Sequence, residues 1–398
     1  MLAARATAIF DAEGPAESWP RALFIEDETH FTLAVGCAER AVVDDDASPA
    51  EVLEAAFRLA ERAPRVACGV RFDRRGESSE WDAFGAGLCF APRASIVRDG
   101  ESLTGVDDVL RLVALSPRPT LEPTSSSSPS ALDDVGAFHA LGAAALRAID
   151  EGTLAKVVLA RRSLQRVRVA PGALARSLGV RDAGLTYAFS PRPGVAYVGR
   201  TPERLLAGFG GAYRTEAVAG TAPRFDEAKN DELSRAALLA SEKDRREHAF
   251  VVEHITASVA AASGHAVVGA RGLRTAGAVH HLVTPIDVSI APAHVGDLVA
   301  KLHPTPALAG WPVRDAVSFI RQHEGFDRGL YGGLVGWISS SALDLRVAIR
   351  GALLDQDRAT IFVGAGFVAG SEVERERRET EVKARAIVDA LAREGAHG

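Results

Sequence analysis

The chain has 398 residues, 47% hydrophobic and 25% charged, which is enough apolar mass for a large core. Its 46 basic and 52 acidic residues give a formal charge of −6 without a basic block, so nucleic-acid binding has no electrostatic support. Three scattered cysteines (Cys37, Cys68 and Cys89) suit neither a disulfide framework nor a zinc site, no apolar run spans a bilayer, and acids come too early for a secretory signal; a cytoplasmic protein without membrane contact is expected.

Residues 1–115 hold short strand-like runs, such as Phe31–Val35 and Val66–Phe72, and one helical stretch over Pro49–Ala63 with Ser48 as its N-cap. Residues 116–131 are rich in Pro and Ser and read as a loop, either a linker between domains or an excursion within one. Asp133–Asp150 reads as an Ala/Leu helix ended by Gly152. Strands are expected at Leu154–Arg161, Thr186–Ser190, Gly194–Arg200 and Arg204–Gly208. Glu227–Ala262 reads as one long helix with Leu238, Leu239, Phe250, Val251, Ile255 and Val259 on its apolar side. Leu334–Ile338, Leu345–Leu354 and Thr360–Phe367 are strand-like, and a last helix runs from about Ser371 to Arg393. The mixture points to an α+β or α/β fold with large sheets.

Several segments carry residue types that chemistry uses. On the last helix Glu376, Glu379 and Lys383 stand at i, i+3 and i+7 and share a face. Two carboxylates and an ammonium so placed suit a hard cation together with an anionic ligand, or else a solvated face laced with ion pairs. Ser371 and Glu374 have the spacing of a capping box. The glycine-rich Gly364–Gly370 run before the helix allows backbone to approach a ligand. Glu247 is followed by Val251 and Ile255 on an apolar stripe, where a carboxylate needs a partner: a metal, or Lys243 one turn back. Lys156 interrupts an apolar strand. It either reaches solvent or sits in a pocket, where it becomes usable as a general base. Glu216 precedes the Gly220-Thr221 turn, which can aim N–H groups at a carboxylate, and is read as a possible general acid. The segments 302–312 and 324–333 hold too many Pro and Gly residues for regular elements.

Taken in order, LAKVVLARR, TPERLL, EAVAGTAPR, SEKDRREH, HHLVT, LHPTPALAGWP, FDRGLYGGLVGW, RVAIRGALL and GAGFVAGSEVERERRETEVK resemble the chorismate-utilising enzymes, which include isochorismate, salicylate, anthranilate and aminodeoxychorismate synthases. The resemblance covers residues 154–387 and no motif within 1–115. It implies one α+β domain over residues 1–398, with two stacked antiparallel sheets flanked by helices. Residues 1–115 are then a divergent part of that fold, 116–131 a surface loop and 132–395 the catalytic part. It implies Mg²⁺ held by Glu247 and Glu379, with Glu376 beside them, against the ring carboxylate of chorismate. Gly220 and Thr221 assist. Arg350, Lys383 and the Gly366 amide face the enolpyruvyl carboxylate, with Tyr331 nearby, and His281 is a positioning group near the ring. Relatives that add water to the ring carry lysine at the Lys156 position, and those that use ammonia typically lack it. With Lys156 as base and Glu216 as acid, the implied reaction is chorismate to isochorismate. The segment HPTPALAG resembles the isochorismate synthases of the siderophore and salicylate-precursor type, with Pro306, Ala307 and Leu308 lining the ring pocket; menaquinone, catechol siderophore and salicylate routes all begin at that product, and salicylate synthesis, by later loss of pyruvate, is the alternative. A monomer is expected.

Overall fold

Short β-branched and aromatic runs between Gly and Pro turns dictate strands. The computed structural model describes residues 2–74, 76, 80–113, 135–179 and 184–395, and these contain eighteen strands. They are β1 (Arg21–Ile25), β2 (His30–Arg40), β3 (Val66–Val70), β4 (Gly87–Asp99), β5 (Ser102–Thr104), β6 (Lys156–Arg166), β7 (Leu185–Arg192), β8 (Val195–Thr201) and β9 (Arg204–Phe209). The second nine are β10 (Ala212–Pro223), β11 (His265–Val268), β12 (Gly272–Ala276), β13 (Val279–Ser289), β14 (Gly310–Trp311), β15 (Leu334–Ile338), β16 (Ala342–Val347), β17 (Gly351–Asp355) and β18 (Arg358–Val368). The helices are α1 (Leu2–Asp11), α2 (Pro49–Ala60), α3 (Val106–Leu112), α4 (Val135–Asp150), α5 (Pro171–Leu178), α6 (Ala228–Ala240), α7 (Glu242–Ala261), α8 (Val295–Leu302), α9 (Val313–His323) and α10 (Val373–Gly395).

All strand pairings are antiparallel, and the two implied sheets are halves of one continuous network. One half runs β14–β6–β18–β17–β8–β7–β1–β2. The other runs β3–β15–β16–β9–β10–β13, with β11 and β12 along the far side of β13. Long β4 joins them by pairing with both β2 and β3. The halves face each other across the larger core; a Cβ added at Gly69 of β3 would lie 3.0 Å from the Phe189 ring of β7. A second core lies on the outer side, where α1, α5 and α10 cover β1, β8, β17 and β18. The N-terminal strands pair directly with the motif-bearing ones, β1 with β7 and β3 with β15.

Ser48 caps α2 as expected, in a reciprocal capping box with Glu51. Three readings change. The helix expected over Glu227–Ala262 is two helices, because Ser241 leaves the helical region (ψ 118°) and its hydroxyl accepts the Asp244 amide to start α7 afresh. The strand expected over Leu345–Leu354 is broken between β16 and β17, where Arg350 takes a left-handed φ of +57°. No capping box forms at Ser371: its hydroxyl accepts the Val368 amide, and Glu374 pairs with Arg377 and Arg378. The Pro/Ser-rich segment 116–131 lies outside the described residues. No helix among the described residues is long and apolar enough to cross a membrane.

Candidate active site

β6 begins on Lys156 and is flanked by β18 and β14, so its first residues have neighbours on both edges. Lys156 is fully buried rather than on an open sheet face, because α7 brings Glu247 over its side chain. Its ammonium pairs with Glu247 of α7, Nζ to Oε1 at 2.9 Å. Burial pushes the Glu247 carboxyl up, but Lys156, with Lys243 and Lys383, outweighs it and holds the group below the usual carboxylate range. Glu247 therefore pairs with Lys156; Lys243, the alternative partner, goes instead to Glu376. Gly366 on β18 makes the close packing possible, since a Cβ there would lie 2.6 Å from Glu247 Oε1 and 3.4 Å from Lys156 Cε.

The cleft beside this pair encloses about 690 Å³ of empty space continuous with solvent. Val158, Gly364 and Gly366 form one wall, and Glu247, Glu379 and Lys383 reach in from α7 and α10. Gly220, Thr221 and His281 line the opposite side, from β10 and β13. Gly220 has φ +79° and sits at a bulge, where β10 shifts register against β13 between Ala219 and Thr221; bulges of this kind re-aim groups at sites. Ala307, Leu308 and Tyr331 close the apolar end with Phe362, on which Tyr331 stacks at 5.7 Å.

The loop bearing Ala307 and Leu308 is fixed by a buried ion pair in the FDRG segment. Arg328 bonds Glu324 and donates to the carbonyls of Leu308 and Val158, at 2.8 and 2.7 Å. The other Glu324 oxygen accepts the Ala160 amide at 2.7 Å. The two turn-rich segments thus brace each other and strand β6.

At the cationic end, Arg350 donates to His281 Nε2 at 2.8 Å. A guanidinium cannot accept, so Nε2 is the acceptor and the proton is on Nδ1, which lies 3.2 Å from the Gly220 carbonyl and 3.1 Å from Thr221 Oγ1. Burial first, then Arg350 and Lys383, drive His281 well below its usual range, so it stays neutral. Lys383 pairs with Glu379 at 2.6 Å and donates to the Gly364 carbonyl at 3.1 Å. The left-handed backbone of Arg350 costs a non-glycine residue roughly 1–2 kcal/mol, strain of the kind retained at working sites.

Three expected residues stand off the cleft: Lys156, set back behind Glu247, and Glu376 and Glu216. Glu376, 1% exposed, lies behind Glu379 and is bound to Lys243. Glu216 is placed differently from the expectation for a proton donor. Arg274 of β12 clamps its carboxylate with two bonds of 2.5 Å, which ties up both oxygens. The same pair grips the turn before β9, because Glu216 accepts the Arg204 amide and Arg274 donates to the Pro202 carbonyl. Between those two points sits Glu203, which does line the cleft. Burial first, then the Glu216 charge, push its carboxyl up to about 8 against Lys156, Lys383 and Arg350. Sequence reasoning passed over Glu203 because TPERLL reads as a strand start; an acid between Pro and a basic residue was the available signal.

Among the described residues no three His, Cys, Asp or Glu side chains converge as a ready metal cage. The donor set still fits a hard cation. Glu379 and Glu247 both raise Glu376, after burial, and both act on Asp244 of α7, another acid that the reading of the sequence missed. These four carboxylates lie on two helices within electrostatic reach of one another, and three of them are paired with Lys156, Lys243 and Lys383, so a divalent cation bound there would take the place of lysine charge. Mg²⁺ usually takes only one or two protein carboxylates and completes its shell with water or substrate.

Residues 109–392 match the family described as "Chorismate binding enzyme". This chain belongs to that family. Over 355 residues it is 34% identical to a "Salicylate biosynthesis isochorismate synthase" of Pseudomonas aeruginosa, covering 83% of this chain and 75% of the relative. It is 35% identical to "Isochorismate synthase MenF" of Bacillus subtilis, covering 62% of this chain and 53% of that one. Among solved structures, the menaquinone-specific isochorismate synthase MenF of Escherichia coli superposes with a TM-score of 0.81 at 25% identity, over 97% of this chain and 91% of that one. Anthranilate synthase component I of Streptococcus pneumoniae shares the fold, with a TM-score of 0.69 at 19% identity over 95% and 91% of the two chains.

Proposed function

We propose that this family member is an isochorismate synthase, converting chorismate to isochorismate with Mg²⁺. The observation that carries this reading is a carboxyl, Glu203, that lines the cleft and keeps its proton to about pH 8, with a fully buried lysine, Lys156, beside the cleft and paired to Glu247 of its lining. A base and an acid held together in a partly closed site are what a substitution with hydroxide loss requires. Lys156 acts as the base, taking a proton from water as the oxygen bonds to ring carbon 2. The double bonds shift, and the carbon 4 hydroxyl leaves with the proton of Glu203. One water enters and one departs, so the reaction is an isomerisation. Each proton transfer is worth roughly 10²–10⁴-fold in rate.

The other groups hold a dicarboxylate. Arg350 and Lys383, with the Gly366 amide, face the enolpyruvyl carboxylate, and Gly220 and Thr221 the ring carboxylate. Neutral His281, its tautomer fixed by its partners, orients Arg350 and offers no competing charge. Mg²⁺ would be held by Glu247 and Glu379, with Glu376 and Asp244 behind them, and would neutralise the ring carboxylate. Glu216 and Arg274 hold the backbone on either side of the acid. The names of the relatives support isochorismate as the product, and Ala307 and Leu308 at the apolar end agree with that reading.

The test is incubation of the full chain with chorismate, with and without Mg²⁺, and chromatography of the products. Isochorismate formed only with the metal is expected. Salicylate and pyruvate as main products would transfer the assignment to salicylate synthase, and anthranilate formed only with ammonium would reject both.

A further inference from the structure

The sheet breaks at the Ala348–Arg350 segment between β16 and β17, and two tyrosines outside the cleft hold it. Tyr187 of β7 donates its hydroxyl to the Ile349 carbonyl at 3.0 Å, and Tyr197 of β8 donates to the Ala348 carbonyl at 3.4 Å. Both are fully buried, and their rings pack 5.4 Å apart. Backbone bonds complete the grip: Ala348 donates to Gly333 and accepts from Gly332, both at 2.8 Å, and the Arg350 carbonyl accepts the Arg200 amide at 3.2 Å.

Room for the Tyr187 hydroxyl is made by two glycines in register with each other, Gly199 of β8 and Gly351 of β17. A Cβ at Gly199 would lie 2.4 Å from that oxygen, and one at Gly351 would lie 2.7 Å from it. Tyrosine in a core ordinarily seeks one partner for its hydroxyl wherever one is at hand. Here the sheet omits two side chains so that the hydroxyl reaches the carbonyl just before a left-handed arginine. A residue in that conformation persists only when its surroundings fix it.

We propose that Tyr187, seconded by Tyr197, is a positioning residue for anion binding: it fixes the peptide before Arg350 so that the guanidinium meets the substrate carboxylate in a set orientation. The inference rests on the role given to Arg350 under the proposed function. Neither tyrosine touches substrate. A guanidinium fork binds a carboxylate through two directed bonds, so a small rotation of its backbone loses one of them.

The experiment is a double-mutant cycle in the full chain with chorismate and Mg²⁺. Tyr187→Phe keeps the ring and removes only the hydroxyl. The expected result is a KM for chorismate raised about 5–10-fold with kcat changed less than about twofold, because a carboxylate contact present in both the bound and transition states is lost. In an Arg350→Ala background the same change is expected to leave KM where it is, since residues acting through one group are non-additive. Tyr197→Phe, which removes the longer bond, is expected to raise KM by a smaller factor and provides a second variant should the first fold poorly. A role confined to packing would lower the melting temperature in both backgrounds and leave KM alone. Wild-type KM in Tyr187→Phe beside a weakened Arg350→Ala overturns this inference while leaving the proposed function intact. An equal KM effect in both backgrounds also overturns it. Wild-type KM in Arg350→Ala overturns the carboxylate role of Arg350, and this inference with it.

Discussion

Replacing Glu203 by glutamine separates the proton that the proposed reaction uses from the space that the side chain fills. Glu203 is 6% exposed, and its carboxyl is pushed from 4.5 to about 8 by burial and by Glu216. The unfolded chain gives up this proton near the ordinary glutamate value, whereas the folded chain holds it to about pH 8. Between those limits the unfolded state binds fewer protons, so stability falls as pH rises, and the loss is complete above the folded value. The full penalty is on the order of 5 kcal/mol. The glutamine variant has no such proton. Urea denaturation of both proteins from about pH 5 to about pH 9 should show wild type losing ground to the variant steadily, with the gap levelling off near pH 8. In the same variant turnover should fall roughly 10²–10⁴-fold, and wild-type kcat should decline above about pH 8 as the acid ionises. A stability gap that stays flat across the range would refute the claim that the folded state holds the Glu203 proton. Full turnover in the variant would refute its role as acid.

Glu216→Gln should keep turnover within about tenfold of wild type, since Glu216 holds Arg274 and the backbone beside the acid rather than donating; a loss as large as that of Glu203→Gln, measured by the same product assay, would restore it as the acid. Lys156→Ala should abolish water addition while leaving chorismate binding, measured by calorimetry, within a few-fold of wild type on the order expected for a residue outside the binding contacts. Glu379→Gln should raise the Mg²⁺ concentration for half-maximal activity at least about tenfold, and an unchanged metal titration would contradict its role as a ligand. Gly366→Ala places a Cβ 2.6 Å from Glu247 Oε1, so it should lower kcat/KM by about 10²-fold, read by steady-state kinetics, with the sheet otherwise folded.

Much of the site was legible as residue types at spacings. An apolar strand interrupted by Lys156, and acids at i and i+3 on α10, need no tertiary information to be noticed, because a buried charge and a shared helix face follow from local geometry. The resemblance then joined them into one site, since the order of nine modest motifs constrains more than any one of them. The errors fall where a single residue overrides a periodic pattern. Ser241 splits one apolar helical stretch in two because its hydroxyl can cap a new helix, and Arg350 splits one strand by turning left-handed.

The sequence by itself determined strands β2, β3, β6–β9, β15 and β18, helices α2, α4 and α10, and which side chains carry charge into apolar surroundings; those follow from periodicity and from the cost of burial. Only the tertiary structure decided the partners. Glu216 on β10 and Glu203 in the turn before β9 lie thirteen positions apart, and nothing local says which one faces the cleft. Arg274, brought over by β12 on the far side of β13, binds the first and leaves the second to line it. In the same way Lys156 meets Glu247 rather than solvent because α7 brings that carboxylate over the face of its strand. Charge pairing depends on which groups the chain brings within a few ångströms, and that is a property of the packed sheet, not of the order of residues.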